Sequence, residues 1–185
     1  MTPADSEALD RLLLARSVKR GHFVLASGRT STFYIDCRLT TLSAEGLALI
    51  GRLGLQAIRA RQWTPRSVGG LTMGADPVAC AIAAASASSG PVVDAFSVRK
   101  EAKAHGTGRQ IEGNFSPGDA VVVVEDVITT GASALKAVDA VRAGGGTVLG
   151  VLAVVDREEG GRDVIEKAGL GVSALTTATR LGLSS

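Results

Sequence analysis

The chain has 185 residues, a length that suits one domain with a substantial core of its own. Apolar residues at 45% and charged residues at 21% exclude a disordered or fibrous chain, and 23 glycines with only 3% aromatics point to alanine- and valine-rich packing with many tight turns. A net charge of +2, without a basic stripe or an arginine-rich tail, argues against a nucleic-acid partner, and no apolar run approaches the roughly 20 residues of a membrane span.

The N-terminal stretch MTPADSEALDRLLLARS has early acids and leucines at helical spacing, so it reads as a helix and not as a signal peptide. Asp5 or Ser6 can cap that helix, with Leu9, Leu12, Leu13 and Val18 on its apolar face. HFVLASGRTSTFYIDC follows, two short β-type runs about Ser27-Gly28-Arg29 that read as a hairpin. Ser43 starts a second helix that runs to about Arg61. Strands and helices then alternate. SVGGLT, PVVDAFSVR, AVVVVE, TVLGVLAVVD and VSALTT read as strands, while DPVACAIAAASAS, GASALKAVDAVRAG and GRDVIEKAG read as helices.

Continuous valine-rich strands between helices of about a dozen residues imply an α/β fold with a mostly parallel central sheet flanked by helices. The whole of 1–185 is expected to be one domain. Residues 1–40 and the C-terminal residues stand outside the alternation and are expected to form a hood over the sheet. The polar stretch KEAKAHGTGRQIEGNFSPGD, 100 to 119, lacks periodicity and reads as a long loop of the kind that serves as a lid. Cys37 and Cys80 have neither zinc nor redox spacing and read as reduced thiols, which points to the cytoplasm.

The chemistry-bearing stretch is VVVVEDVITTGAS, 121 to 133. Its four valines run into Glu125 and Asp126 where a parallel strand should end, and ligands of open α/β sheets bind outside those ends. Thr129, Thr130, Gly131, Ala132 and Ser133 then lead into a helix whose first N–H groups have no intrahelical acceptor. Such a loop can close on a phosphate. Two carboxylates beside it suit a ligand whose hydroxyls lie near its phosphate, as in a ribose 5-phosphate. An acid pair that merely caps a turn is the alternative. No G-x-x-x-x-G-K-[ST] or G-x-G-x-x-G is present to support a nucleotide triphosphatase or a dinucleotide fold.

As a unit, VVVVEDVITTGAS resembles the phosphoribosyl pyrophosphate signature of the type I phosphoribosyltransferases, with Val127 and Ile128 inside the motif. The cluster Arg99, Lys100, Lys103 and His105, otherwise readable as a solvated face, has the R-K-x-x-K-x-H pattern that resembles the orotate phosphoribosyltransferase family. LASGRTSTFYID resembles that family's N-terminal hairpin, GGLTMGADPVA its pyrophosphate loop, and VVDREEGG the strand end bearing its base-facing arginine.

The resemblance implies the type I phosphoribosyltransferase fold and transfer of ribose 5-phosphate to orotate, with Mg2+ held mainly by the donor and by no protein side chain directly. Arg99, Lys100, Lys103 and His105 are then catalytic, on a mobile loop 99–118 shared between the subunits of a homodimer. Residues 125–133, Met73 and Gly74 bind the donor; Tyr34, Ile35, Thr129 and Arg157 contact orotate. On the hairpin, Phe33, Tyr34 and Ile35 are equally readable as hairpin core. Ala26 and Gly74 stand where many members have lysine, which weakens the cationic contribution to donor binding. Two other functions fit parts of the pattern: a purine phosphoribosyltransferase, and a non-catalytic sensor of phosphoribosyl pyrophosphate.

Overall fold

The valine runs become the strands of a six-stranded sheet, and the long apolar stripes become the helices that cover it. The computed structural model describes residues 3–24, 30–101 and 110–183. Helix α1 is Pro3–Arg16, followed by the antiparallel hairpin β1 (Val18–Val24) and β2 (Thr30–Ile35). Then come α2 (Arg38–Thr41), α3 (Ala44–Ala60), β3 (Ser67–Leu71), α4 (Ala75–Ala87), β4 (Asp94–Val98), β5 (Ile111–Gly113) and β6 (Ala120–Ile128). The chain closes with α5 (Ala132–Ala143), β7 (Thr147–Asp156), α6 (Gly161–Lys167) and β8 (Val172–Thr177). Ser43 caps α3 as its sequence promised, accepting at Oγ from the Gly46 N–H at 3.1 Å.

The sheet order is β5-β4-β3-β6-β7-β8, parallel throughout except for β5, which runs antiparallel to β4. The chain moves outward from β3 to one edge, returns to β6 beside β3, and then builds to the other edge. The crevice between the carboxyl ends of β3 and β6 is thus the topological switch point, where open sheets place their ligands.

Strand alternation divides the β6 valines between two cores. Val122 and Val124 enter the larger one with Leu9, Leu13, Ile50 and Ile82 from α1, α3 and α4. Val121 and Val123 enter the second with Ala137, Val138 and Ile165 from α5 and α6. Truncating one of the fully buried leucines to alanine costs about 2–5 kcal/mol in such settings. The hairpin inserts Phe33 and Ile35 into the larger core, and Ala178, Leu181 and Leu183 join it from the C-terminal side. Arg180 Nε meets Asp10 Oδ2 at 2.7 Å, tying that segment to α1.

Four details differ from the sequence expectations. Val18 is the first residue of β1, because α1 ends at Arg16. Four residues after the hairpin coil into α2. The polar stretch after β4 contains β5, whose three residues find backbone partners on the open edge of β4. Finally, β6 runs on to Ile128, since β7 continues beside it as far as Asp156. Glu125 and Asp126 therefore sit inside the last turn of the pleat and not at the strand's end.

Candidate active site

A cavity of about 720 Å³ opens over the β3–β6 switch point. Strand β6 and the loop after it contribute Glu125, Asp126, Val127, Thr129, Thr130 and Ser133; the β3 loop contributes Met73 and Gly74. Tyr34 and Ile35 come from the hairpin, Lys100 from beyond β4, and Arg157 from the end of β7. A small depression of about 70 Å³ adjoins it, formed by 127–134 together with Glu125, and this brings in Ile128, Gly131 and Ala132. Residues far apart in the chain thus converge on one space.

The depression has the features of an anion cup. Gly131 precedes α5 with φ +80°, a conformation glycine adopts without strain. It supplies no side-chain cap; the Ala132 N–H makes a long 3.5 Å contact with Thr130 Oγ1, and the N–H groups that follow in the first turn of α5 have no intrahelical acceptor and suit an anion. A β-carbon there would also lie 2.8 Å from the Gly161 carbonyl oxygen.

The acid pair is unequal. Glu125 is 7% exposed and its Oε2 has no hydrogen-bond partner among the described residues. Burial first, then the charge of Asp126 and hydrogen bonding with that side chain, push the Glu125 carboxyl from 4.5 up to about 9. At neutral pH Glu125 therefore holds its proton, so the pair does not offer the two carboxylates read from the sequence. Asp126 Oδ1 accepts from the Val127 N–H at 2.9 Å. Gly74 packs directly on it: a β-carbon on Gly74 would lie 2.6 Å from Asp126 Oδ1. The absence of a side chain at 74 thus has a local cause.

Arg157 is 6% exposed and fixed on three sides. Its Nη2 lies 2.6 Å from Glu159 Oε1 and 3.4 Å from Ser31 Oγ, and its guanidinium stacks over the Phe33 ring at 4.7 Å. Its Nε is buried without a hydrogen-bond partner among the described residues. Phe33 and Ile35 point inward, whereas Tyr34 is 40% exposed on the other face of β2, its ring 5.8 Å from that of Phe23.

Of the predicted cations, Lys100 lines the cavity. Arg99 lines a neighbouring depression instead, with Nε 3.0 Å from Glu112 Oε1. Lys103, His105, Ala26 and the hairpin tip Ser27-Gly28-Arg29 lie outside the described residues.

No family model matches the chain. Curated relatives do: an orotate phosphoribosyltransferase of Aquifex aeolicus is 47% identical over 184 residues, covering 98% of this chain and 100% of the relative. The chain belongs to the orotate phosphoribosyltransferase family. Among solved structures, the Mycobacterium tuberculosis H37Rv orotate phosphoribosyltransferase in complex with Fe(III) dicitrate superposes with a TM-score of 0.86 at 47% identity, over 97% of this chain and 99% of that one. The same enzyme in complex with 5-phospho-α-D-ribosyl 1-diphosphate gives 0.82 at 44% identity, with the same coverage. An adenine phosphoribosyltransferase of Leishmania donovani, 19% identical with a TM-score of 0.66 over 98% of this chain and 84% of that one, shares the fold, which is that of the type I phosphoribosyltransferases.

Sequence reasoning about this orotate phosphoribosyltransferase family member missed several lining or supporting residues. Asp36 and Arg38 form a two-pronged pair at the cavity wall, Nε to Oδ1 at 2.8 Å and Nη2 to Oδ2 at 3.0 Å. That pairing holds the Asp36 carboxyl below its usual range. Cys37 lines the wall too, where burial pushes its thiol well up, with the Asp126 charge adding to the effect. Thr72 joins from the β3 loop, and Glu159 stands behind Arg157. The FYIDCR and VVDREEGG stretches carried these residues, but only the folded geometry selects among them.

Proposed function

We propose that the protein transfers ribose 5-phosphate from phosphoribosyl pyrophosphate to N1 of orotate, giving orotidine 5'-phosphate and pyrophosphate, a step of UMP synthesis. The observation carrying this reading is the union, in one cavity, of the acid pair and phosphate cup of β6–α5 with Arg157 of β7 and the hairpin. The cup takes the 5-phosphate through backbone N–H groups and the Thr129, Thr130 and Ser133 hydroxyls. Asp126 accepts from the ribose hydroxyls, with Glu125 beside it as a hydrogen-bonding neutral acid. Met73 and Gly74 lie along the diphosphate, and Arg157, Thr129, Tyr34 and Ile35 face the base.

In the reaction the C1'–O bond to the diphosphate breaks as the bond from N1 to C1' forms, through a loose, cationic sugar. The protein's part is to position the two substrates and to stabilise the departing diphosphate. Lys100 lines the cavity, and Lys103, His105 and Arg99 are assigned to the leaving group across a homodimer, each loop 99–118 serving the partner's site. Arg99 lines a depression that shares Thr72 and Lys100 with the cavity.

Magnesium fits a site of this kind. The cavity that would take the diphosphate is lined by Asp126, and magnesium beside phosphates keeps waters and uses substrate oxygens. When bound it would neutralise diphosphate charge, with no side chain holding it directly. The setting is cytoplasmic; no helix among the described residues is long and apolar enough to cross a membrane.

The test is the loss of orotate absorbance with phosphoribosyl pyrophosphate, with and without Mg2+, alongside adenine and hypoxanthine as acceptors. Turnover with orotate alone is expected. Turnover with a purine and none with orotate would overturn the assignment.

A further inference from the structure

We propose that Glu159 is a positioning residue that sets the plane of the Arg157 guanidinium and thereby the enzyme's affinity for orotate. The inference rests on the reading of Arg157 as a contact of the base. Glu159 Oε1 and Arg157 Nη2 are 2.6 Å apart, with side chains only 10% and 5% exposed. A guanidinium that is buried needs a counter-ion and filled hydrogen-bonding positions, or its burial is costly. Other acids nearby are committed elsewhere. Asp156 Oδ2 meets Arg162 Nε at 2.8 Å, and its Oδ1 accepts from the Glu158 N–H at 2.9 Å. Glu158 itself sits at φ +59°, and its Oε2 accepts from the Thr179 N–H at 2.7 Å. Two adjacent glutamates are thus divided, one to the C-terminal segment and one to Arg157.

The remaining contacts set an orientation as well as a charge balance. Phe33 covers one face of the guanidinium at 4.7 Å. Ser31 Oγ donates to the Phe33 carbonyl at 2.7 Å, which leaves a lone pair toward Arg157 Nη2 at 3.4 Å. With Glu159 anchoring Nη2, the plane is fixed, and the guanidinium meets the cavity in that fixed orientation. A flat ligand with in-plane oxygens, such as a pyrimidine carboxylate, suits that geometry. The donor site at 125–133 is built from another strand and helix, so a change at Glu159 should separate the two substrates.

Steady-state kinetics with each substrate varied would test this on Glu159→Gln, Glu159→Asp and Arg157→Lys, with thermal melts for each. Glu159→Gln should raise KM for orotate about tenfold while KM for the donor and kcat stay within about twofold. Glu159→Asp keeps the charge and should restore most of the affinity, with a rise of about threefold. An unchanged or lowered KM for orotate in folded Glu159→Gln overturns the proposal, as does an equal rise for both substrates. Should Glu159→Gln not fold, Glu159→Asp carries the same criterion, and an unchanged KM for orotate there overturns it. Arg157→Lys separates the two readings: if it leaves KM for orotate unchanged, Arg157 is no base contact and the proposal falls with that reading. If it raises KM for orotate and Glu159→Gln does not, only the positioning role falls.

Discussion

Glu125 gives the sharpest physical prediction, because a buried acid beside a carboxylate must leave its mark on stability. In the unfolded chain its carboxyl ionises above 4.5; in the folded protein it holds its proton up to about 9. Between those values the folded state binds one proton more than the unfolded state, so stability falls as pH rises. The contribution is complete below about pH 4.5 and is lost progressively up to about pH 9. At about 1.4 kcal/mol per pH unit, the interval from pH 6 to pH 8 should cost close to ~3 kcal/mol, and the whole shift has a ceiling of about 6 kcal/mol.

The perturbation that isolates this is Glu125→Gln, which keeps the shape and hydrogen-bonding capacity of the neutral acid but cannot ionise. Urea denaturation of the unliganded protein and of Glu125→Gln, at several pH values from 5 to 9, reads the difference directly. Other titrating groups act on both proteins and cancel in the comparison. Wild type should lose ground to the variant steadily from pH 6 to 8, equivalent to a relative fall in Tm of about 6–12 °C for a chain of this size. Parallel stability curves would refute the reasoning, showing that Glu125 is ionised in the folded protein or solvated more than its 7% exposure implies.

Two glycines make a contrasting pair. Gly74→Ala places a β-carbon 2.6 Å from the Asp126 carboxylate, a mobile side-chain end, so the carboxylate moves and the fold survives. Melting should change by less than about 1 kcal/mol while kcat/KM for the donor falls about 10- to 100-fold; unaltered kinetics would disprove the Gly74–Asp126 contact's importance. Gly131→Ala instead meets the Gly161 carbonyl at 2.8 Å with φ +80°, so both stability, by about 1–3 kcal/mol, and KM for the donor should suffer; a variant melting like wild type would contradict this. Lys103→Ala should lower kcat about 10²- to 10³-fold with little change in donor binding, and an unaltered kcat would refute its role. Mixed with inactive Asp126→Asn subunits, it should recover about a quarter of wild-type activity if loops are exchanged in a two-fold dimer, and none if each site is built from one chain.

How much of this was legible depended on whether a residue's role is local or set by its neighbours. The β6 valines announce a strand buried on both faces, since either face of the pleat then needs an apolar side chain. Gly131 announces a helix start for an equally local reason. Strand β5 carries no such mark: its three residues, Ile-Glu-Gly, are a strand only because β4 presents an unpaired edge. The roles of Phe33 and Tyr34 depend on parity. Pairing of Phe33 with Arg20 and of Tyr34 with Lys19 turns the phenyl ring inward to Arg157 and leaves the tyrosine outward. Glu158 and Glu159 are identical in composition, and only the positive φ at 158 sends them to different partners. The acid pair was legible as a site, but its protonation was not, because that depends on how deeply Glu125 is buried beside β7 once the chain has folded.

These assignments together constrain where the positive charge for catalysis comes from. Within the cavity wall Asp36 is neutralised by Arg38, and Arg157 by Glu159 behind it. Glu125 is uncharged at neutral pH, which leaves Asp126 against Lys100. The described wall is thus close to electrically balanced, yet its ligand carries a phosphate and a diphosphate. Backbone N–H groups at the start of α5 can serve the 5-phosphate, but the charge that develops on a departing diphosphate needs mobile cations or a metal. Beyond Arg99, which pairs with Glu112 in its own chain, and Lys100 at the wall, the loop after β4 carries Lys103, His105 and Arg109 as basic side chains in its sequence. A wall with little net charge of its own needs further positive charge to hold a polyanion, which the proposed function draws from the loop and a metal. On the function proposed above, metal binding and catalysis are coupled: the wall is assigned to the sugar and the base, and the basic loop residues to the leaving group.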